Sequence, residues 1–206
     1  MNLLSAHQAL KALAPAFSTK EASDLFGISV NHAATLLARL EKQKTIVRLT
    51  RGRWAYSSEV DILLLPSILT YPALSYVSLY TALYYHGLIE QIPSQVFAIS
   101  TGKTKLFHTP LSTVSIHHMQ STLFAGYELH GKDSVLMASP EKALFDTLYL
   151  ASTKARGFSH LTELEIPRTF QWVLLDAWVN DINNKGHRSS VVARLNRIND
   201  IKRHHR

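Results

Sequence analysis

Six cationic side chains stand between positions 39 and 53: Arg39, Lys42, Lys44, Arg48, Arg51 and Arg53, against one carboxylate, Glu41. Six cations less one acid leave +5 in fifteen residues. The chemistry open to such a run is recognition of a polyanion, and nucleic acid is the commonest one. Just upstream, Ser29, Asn31, His32 and Thr35 fall at the start of a helical pattern. Small polar side chains on the outer face of a helix can reach base edges, and a helix N-terminus favours a phosphate. A small helical domain with a solvated basic face is the alternative reading of the same residues.

Other chemistry finds less support. Without cysteine there is no disulfide, no thiolate zinc site and no thiol nucleophile. Adjacent His117 and His118 point to opposite sides of a strand, and His86, His108 and His130 have no carboxylate at a recognisable ligand spacing. They are therefore expected to be structural or surface residues, with no metal and no cofactor. No Gly-x-Ser-x-Gly elbow, phosphate-cradling glycine loop or G-x-G-x-x-G is present. Glu141 and Asp146 could form half a carboxylate pair, but a helix cap and a buried hydrogen bond explain them more simply. Tyr76, Tyr80, Tyr84, Tyr85, Phe124 and Tyr127 read as core aromatics with polar tips, a recognition surface being the alternative reading of the same residues. No enzyme emerges from these residues.

The elements that must position the cationic run are legible. An apolar stripe from Leu3 to Ala14 closes at Pro15. Ser18-Thr19-Lys20-Glu21 is a capping box opening a helix with Ala22, Leu25 and Phe26 inward and a stop at Gly27. Ser29 caps a third helix to about Lys42, with Ala33, Ala34, Leu37 and Leu40 on one face. Ile46–Leu49 and Trp54–Tyr56 flank the turn Thr50-Arg51-Gly52-Arg53, a hairpin. Together these predict a winged helix-turn-helix over residues 1–60, with the third helix in a major groove and Arg51 and Arg53 on the wing.

The proline-bracketed block at 61–72 reads as a connection. Residues 73–150 alternate helix and strand: a helix over Ser78–Gly87, strands over Gln95–Ser100, Lys105–His108 and Val114–His118, a hairpin of Gly126–Leu129 with Ser134–Ala138, and a helix from Pro140 to Leu150. Residues 151–206 read as helical, Phe170–Asn180 and Ser189–Ile201, split at Asn183–Gly186, with a basic tail. The expected class is α+β: a winged helix-turn-helix, then a mixed α+β domain with a helical C-terminal end.

Charge supports the division. The chain's 206 residues carry +7, unevenly spread. Residues 1–60 hold 8 basic and 4 acidic side chains (+4), residues 61–184 hold 7 and 10 (−3), and residues 185–206 hold 7 and 1 (+6). The apolar share, 46%, suits a globular protein. No apolar run approaches the ~18 residues of a membrane helix. The first residues lack the basic-then-apolar order of a secretory signal, so a cytoplasmic location is expected.

The chain resembles the AbiEi-type antitoxins of abortive-infection toxin–antitoxin systems over about residues 5–200. The resemblance rests on the segments Tyr76–Ile89, Thr109-Pro110-Leu111 and Ser139-Pro140-Glu141-Lys142-Ala143-Leu144-Phe145-Asp146, with a looser match from Leu164 onward. It implies a two-part transcriptional regulator. The winged helix would bind repeats in its own promoter as an autorepressor. The C-terminal part would neutralise a nucleotidyltransferase toxin encoded next door, without a stable complex (a type IV system). No residue of catalytic role is carried over.

The remaining alternative is a winged-helix transcription factor whose second domain senses a ligand or dimerises. The toxin itself is disfavoured by residues: there is no Gly-Ser pair to precede an acidic metal site, and Glu163 and Glu165, two apart, come late and follow none.

Overall fold

The computed structural model describes residues 3–13, 15–56, 60–131, 135–153 and 164–204, with side chains as far as Ile198. Ala14, Ser134 and Glu163 lie outside the described residues, as do the Lys132-Asp133 turn and the side chains of the basic tail. The chain is mixed α+β, with eight α-helices and two sheets among the described residues.

The first unit comprises α1 (Leu3–Leu10), β1 (Ala16–Ser18), α2 (Thr19–Phe26), α3 (Val30–Lys42), β2 (Val47–Thr50) and β3 (Arg53–Ala55). Both halves of the expected capping box form: Ser18 Oγ accepts from the Glu21 amide at 3.1 Å, and Glu21 Oε2 accepts from the Ser18 amide at 2.7 Å. Gly27 ends α2 at φ +62, a left-handed conformation that an L side chain would strain. Leu25, expected inside, is 39% exposed. The helix instead turns Ser23 inward, where its hydroxyl donates to the Ile28 carbonyl at 2.8 Å. At ~100° per residue, a face containing Ala22, Ser23 and Phe26 leaves Leu25 on the flank. In α3 the buried face is Ala33, Leu36, Leu37 and Leu40, with Ala34 only half-buried.

The strand β1 was not anticipated. Three residues that follow a proline and end on a helix cap give no periodicity to read, yet they complete an antiparallel sheet of order β1-β3-β2. This small sheet is apolar on both faces, and alternation along its strands, interrupted between Arg48 and Thr50, divides its side chains. Phe17, Ile46, Trp54 and Tyr56 pack with Leu10, Leu36, Leu37 and Leu40 of the helices. Leu49 and Ala55, with Ala16 and Val47 half-buried beside them, pack into the core of the second unit.

Residues 62–70 are helical. The block read as a connection is a 3₁₀ turn (Ile62–Leu64) running into α4 (Leu65–Thr70), with Pro66 in the first helical turn, where its missing N–H costs nothing. Leu63, Leu65 and Leu69 are buried in the large core. Then come β4 (Ser75–Val77), α5 (Leu79–Tyr85), β5 (Val96–Ser100), β6 (Lys105–His108), β7 (Thr113–His118), β8 (Tyr127–His130) and β9 (Val135–Ala138). The sheet order is β6-β7-β5-β4-β9-β8, parallel at β5–β7 and β4–β9 and antiparallel elsewhere. The interior strand β4 also escaped the sequence reading, again because it is three residues long.

Three helices complete the described chain: α6 (Pro140–Ala151), α7 (Trp172–Asn180) and α8 (Lys185–His204). Helix α7 starts at Trp172 rather than Phe170, which is buried ahead of it. The break placed at Asn183–Gly186 is shorter than expected. Asn184 caps α8, its Oδ1 accepting from the His187 amide at 2.9 Å, so Lys185 and Gly186 are already helical.

Helix α6 is buried almost all round, and its polar residues are accounted for one by one. Ser139 Oγ accepts from the Lys142 amide at 3.2 Å. Glu141 Oε1 accepts from the Gln171 amide ahead of α7, at 2.9 Å. Asp146 is fully buried: Lys142 Nζ lies 2.5 Å from its Oδ1, while Ser78 Oγ and Tyr76 Oη donate to its Oδ2 at 2.7 and 3.0 Å. The buried hydrogen bond expected for Asp146 is therefore part of a four-residue network. Burial pulls the Lys142 amine below its ordinary value and pushes the Asp146 carboxyl up, and their mutual attraction opposes both shifts. Tyr76 is held well above the usual phenol range by burial and by the Asp146 charge. The ammonium also lies 4.5 Å from the ring centre of Phe145 and 5.5 Å from that of Trp178.

Candidate nucleic-acid interface

Ser29 opens α3, its hydroxyl accepting from the His32 amide at 3.3 Å. The apolar face beneath fixes what remains outside: Ser29, Asn31, His32, Thr35 and Arg39 are all exposed. Thr35 turns its hydroxyl back to the Asn31 carbonyl at 3.0 Å. Lys42 and Lys44 are exposed at the C-terminal end of α3, Lys44 at φ +59 as the chain leaves the helix.

The hairpin carries the three arginines differently. Arg51 is exposed at the tip. The tip itself is pinned to the start of α2, since the Thr19 amide donates to the Gly52 carbonyl at 2.9 Å. Arg48 is exposed, with its guanidinium 5.4 Å from the ring centre of Trp54, directly across the ladder. Trp54 is fixed in turn by its Nε1–H, which donates to Thr19 Oγ1 at 2.8 Å. Arg53 is half-buried; its Nη2 donates to the Tyr71 carbonyl at 2.7 Å, and its guanidinium lies 5.7 Å from the Tyr71 ring centre.

Among the described residues the ion pairs are Lys20–Asp24 and Lys142–Asp146. None of the six cations from Arg39 to Arg53 is neutralised by a described carboxylate. An aromatic face holds Arg48, and an aromatic face with a carbonyl holds Arg53, without cancelling their charge, which leaves a cationic surface able to meet phosphates. The sequence reading named these cations but missed Trp54 and Tyr71 as their supports. The first depends on strand register and the second on a contact between units, and neither leaves a local signal.

Three of the histidines bond to backbone carbonyls. His86 Nε2 lies 2.7 Å from the Ala138 carbonyl, His118 Nδ1 2.9 Å from the Gly102 carbonyl, and His187 Nε2 2.9 Å from the Tyr149 carbonyl. Among the described residues no group of three or more His, Asp or Glu side chains could hold a metal ion. Ser115 Oγ and His117 Nε2 are 2.9 Å apart, the distance of a nucleophile–base pair. Burial lowers the His117 pKa to about 4, too low for an effective base at neutral pH.

That depressed value gives a pH prediction. Between about pH 6.5, the ordinary value, and about pH 4, the unfolded chain takes up a proton at His117 that the native chain refuses. Stability should fall as pH drops through this window, and this contribution should level off below it. In a comparison of urea midpoints at pH 7 and pH 4.5, His117→Gln should lose less than the unsubstituted chain. Equal losses would remove His117 from the acid sensitivity.

No helix of the described residues is long and apolar enough to cross a membrane. Comparison with known proteins returned no match for this chain, neither to a family model nor to a characterised protein.

Proposed function

We propose that residues 1–60 form a winged helix-turn-helix that binds duplex DNA, with α3 reading the major groove and the β2–β3 hairpin as the wing. The observation that carries this reading is the un-neutralised set Arg39, Lys42, Lys44, Arg48, Arg51 and Arg53 beside an exposed, capped helix N-terminus. In this reading phosphate contacts supply most of the affinity, and Asn31, His32 and Thr35 set the preferred sequence. We extend the proposal through the resemblance to AbiEi-type antitoxins. The protein would repress its own promoter in the cytoplasm, and its second part would neutralise a nucleotidyltransferase toxin without a stable complex. It would need no cofactor and catalyse no reaction.

The test is a mobility-shift titration against the DNA upstream of the protein's own reading frame, repeated over a range of salt. Each phosphate contact contributes ~0.9 to the slope of log affinity against log salt. Replacing Arg51 and Arg53 by Ala should weaken binding to all duplexes and flatten the slope by up to ~2. Replacing Asn31 or His32 should change which duplex is preferred. An unsubstituted chain that does not shift this DNA overturns the winged-helix reading. Co-expression with the neighbouring gene, scored for growth, tests the antitoxin assignment separately.

A further inference from the structure

We infer that Tyr71, which lies outside the helix-turn-helix, belongs to the nucleic-acid surface as the positioning residue for Arg53; this rests on the winged-helix proposal. Arg53 sits on β3 at the base of the turn, opposite Thr50. Its guanidinium has no carboxylate partner among the described residues. Instead it is held from two sides by one residue: the Tyr71 carbonyl takes one N–H, and the Tyr71 ring lies against the cation.

Both holding groups are neutral. The carbonyl uses one of five guanidinium donors, and the aromatic face uses none. The full positive charge and most of the donors therefore remain for a phosphate, with part of the ordering cost already met in the free protein. Tyr71 can do this because its own backbone is fixed. Its amide donates to the Ser67 carbonyl at 3.2 Å, and the Ala73 amide closes the turn on Thr70 at 3.0 Å. The helix α4 before it is anchored in the large core through Leu65 and Leu69. The residue nevertheless stays 70% exposed, outside the apolar core. That exposure fits a side chain whose work lies at the surface beside Arg53.

The experiment measures duplex affinity of the full chain by fluorescence anisotropy, using the same upstream DNA, for Tyr71→Ala, Tyr71→Phe, Arg53→Ala and the Tyr71→Ala/Arg53→Ala double variant. The ring contact is of the size that gives about a two- to fivefold loss in Tyr71→Ala. Tyr71→Phe should bind as the unsubstituted chain does. Arg53→Ala should lose more, and the double variant should bind no worse than Arg53→Ala alone, since the tyrosine then has nothing to position. Thermal melts of all four should agree within a few degrees, as expected for an exposed ring. Undiminished binding by Tyr71→Ala overturns the inference, as does a Tyr71→Ala loss that adds in full to that of Arg53→Ala. Absence of binding by the unsubstituted chain overturns the winged-helix reading itself, and this inference with it.

Discussion

Replacing Asp146 with alanine should cost about 3–5 kcal/mol, the range for breaking a buried ion pair by removing one partner. The substitution strands the Lys142 ammonium at zero exposure with only the faces of Phe145 and Trp178 for compensation. It also leaves the Ser78 and Tyr76 hydroxyls without their acceptor. For a domain stable by ~5–15 kcal/mol, this is a large share of the total. Urea denaturation followed by circular dichroism should show a much lower midpoint, or a chain already unfolded. The paired replacement Lys142→Met with Asp146→Leu should recover much of the loss, because it removes both charges together. An Asp146→Ala variant within about 1 kcal/mol of the unsubstituted chain would mean that the network is not a stabilising requirement of the fold.

A second large effect is expected at Gly126, in the turn before β8. A Cβ there would meet Trp178 Cζ2 at 2.5 Å and Cη2 at 2.9 Å, and the backbone stands at φ +74. Gly126→Ala therefore combines a left-handed conformation, costing about 1–2 kcal/mol, with overpacking that costs about 1–3 kcal/mol. The displaced indole also supports Lys142, so the damage should spread into the buried network. The diagnostic is non-additivity. In a Trp178→Ala background, Gly126→Ala should cost its backbone strain and the remaining 3.1 Å contact with Lys142 Cγ, and a cycle of four melts reads the difference. Full additivity would show that the indole does not press on this turn.

Most of the long elements and nearly all the caps were legible in the sequence, because they rest on local chemistry. Ser18 with Glu21, Ser29, Gly27, Ser139 with Pro140, and the alternation around Arg51-Gly52 each encode their structure within a few residues. The strands β1 and β4 were not legible, since three residues hold no period, and both are held by pairing with strands distant in sequence, β1 with β3 and β4 with β5 and β9. The partners of the candidate surface were half legible. Composition named the cations, while the supports at Trp54 and Tyr71 arise from register and from contact between distant segments. Asp146 could be read as a buried hydrogen-bonding group. That Lys142 lies buried with it could not, because a lysine one turn before an aspartate is usually a solvated pair.

The small β1-β3-β2 sheet has a bearing on how such a chain can diversify. Its Phe17, Trp54 and Tyr56 side faces the first three helices, and its Leu49 and Ala55 side faces the core that begins at α4. A recombination event or an engineered graft that cut the chain near residue 60 would uncover an apolar sheet face. It would succeed only where the recipient offered a matching surface for those residues. Inheritance of the N-terminal unit is thereby tied to inheritance of its α4-to-α8 neighbour. If the proposed DNA-binding function holds, new sequence preferences are then reached more readily by point changes on the outer face of α3 than by exchange of the whole module.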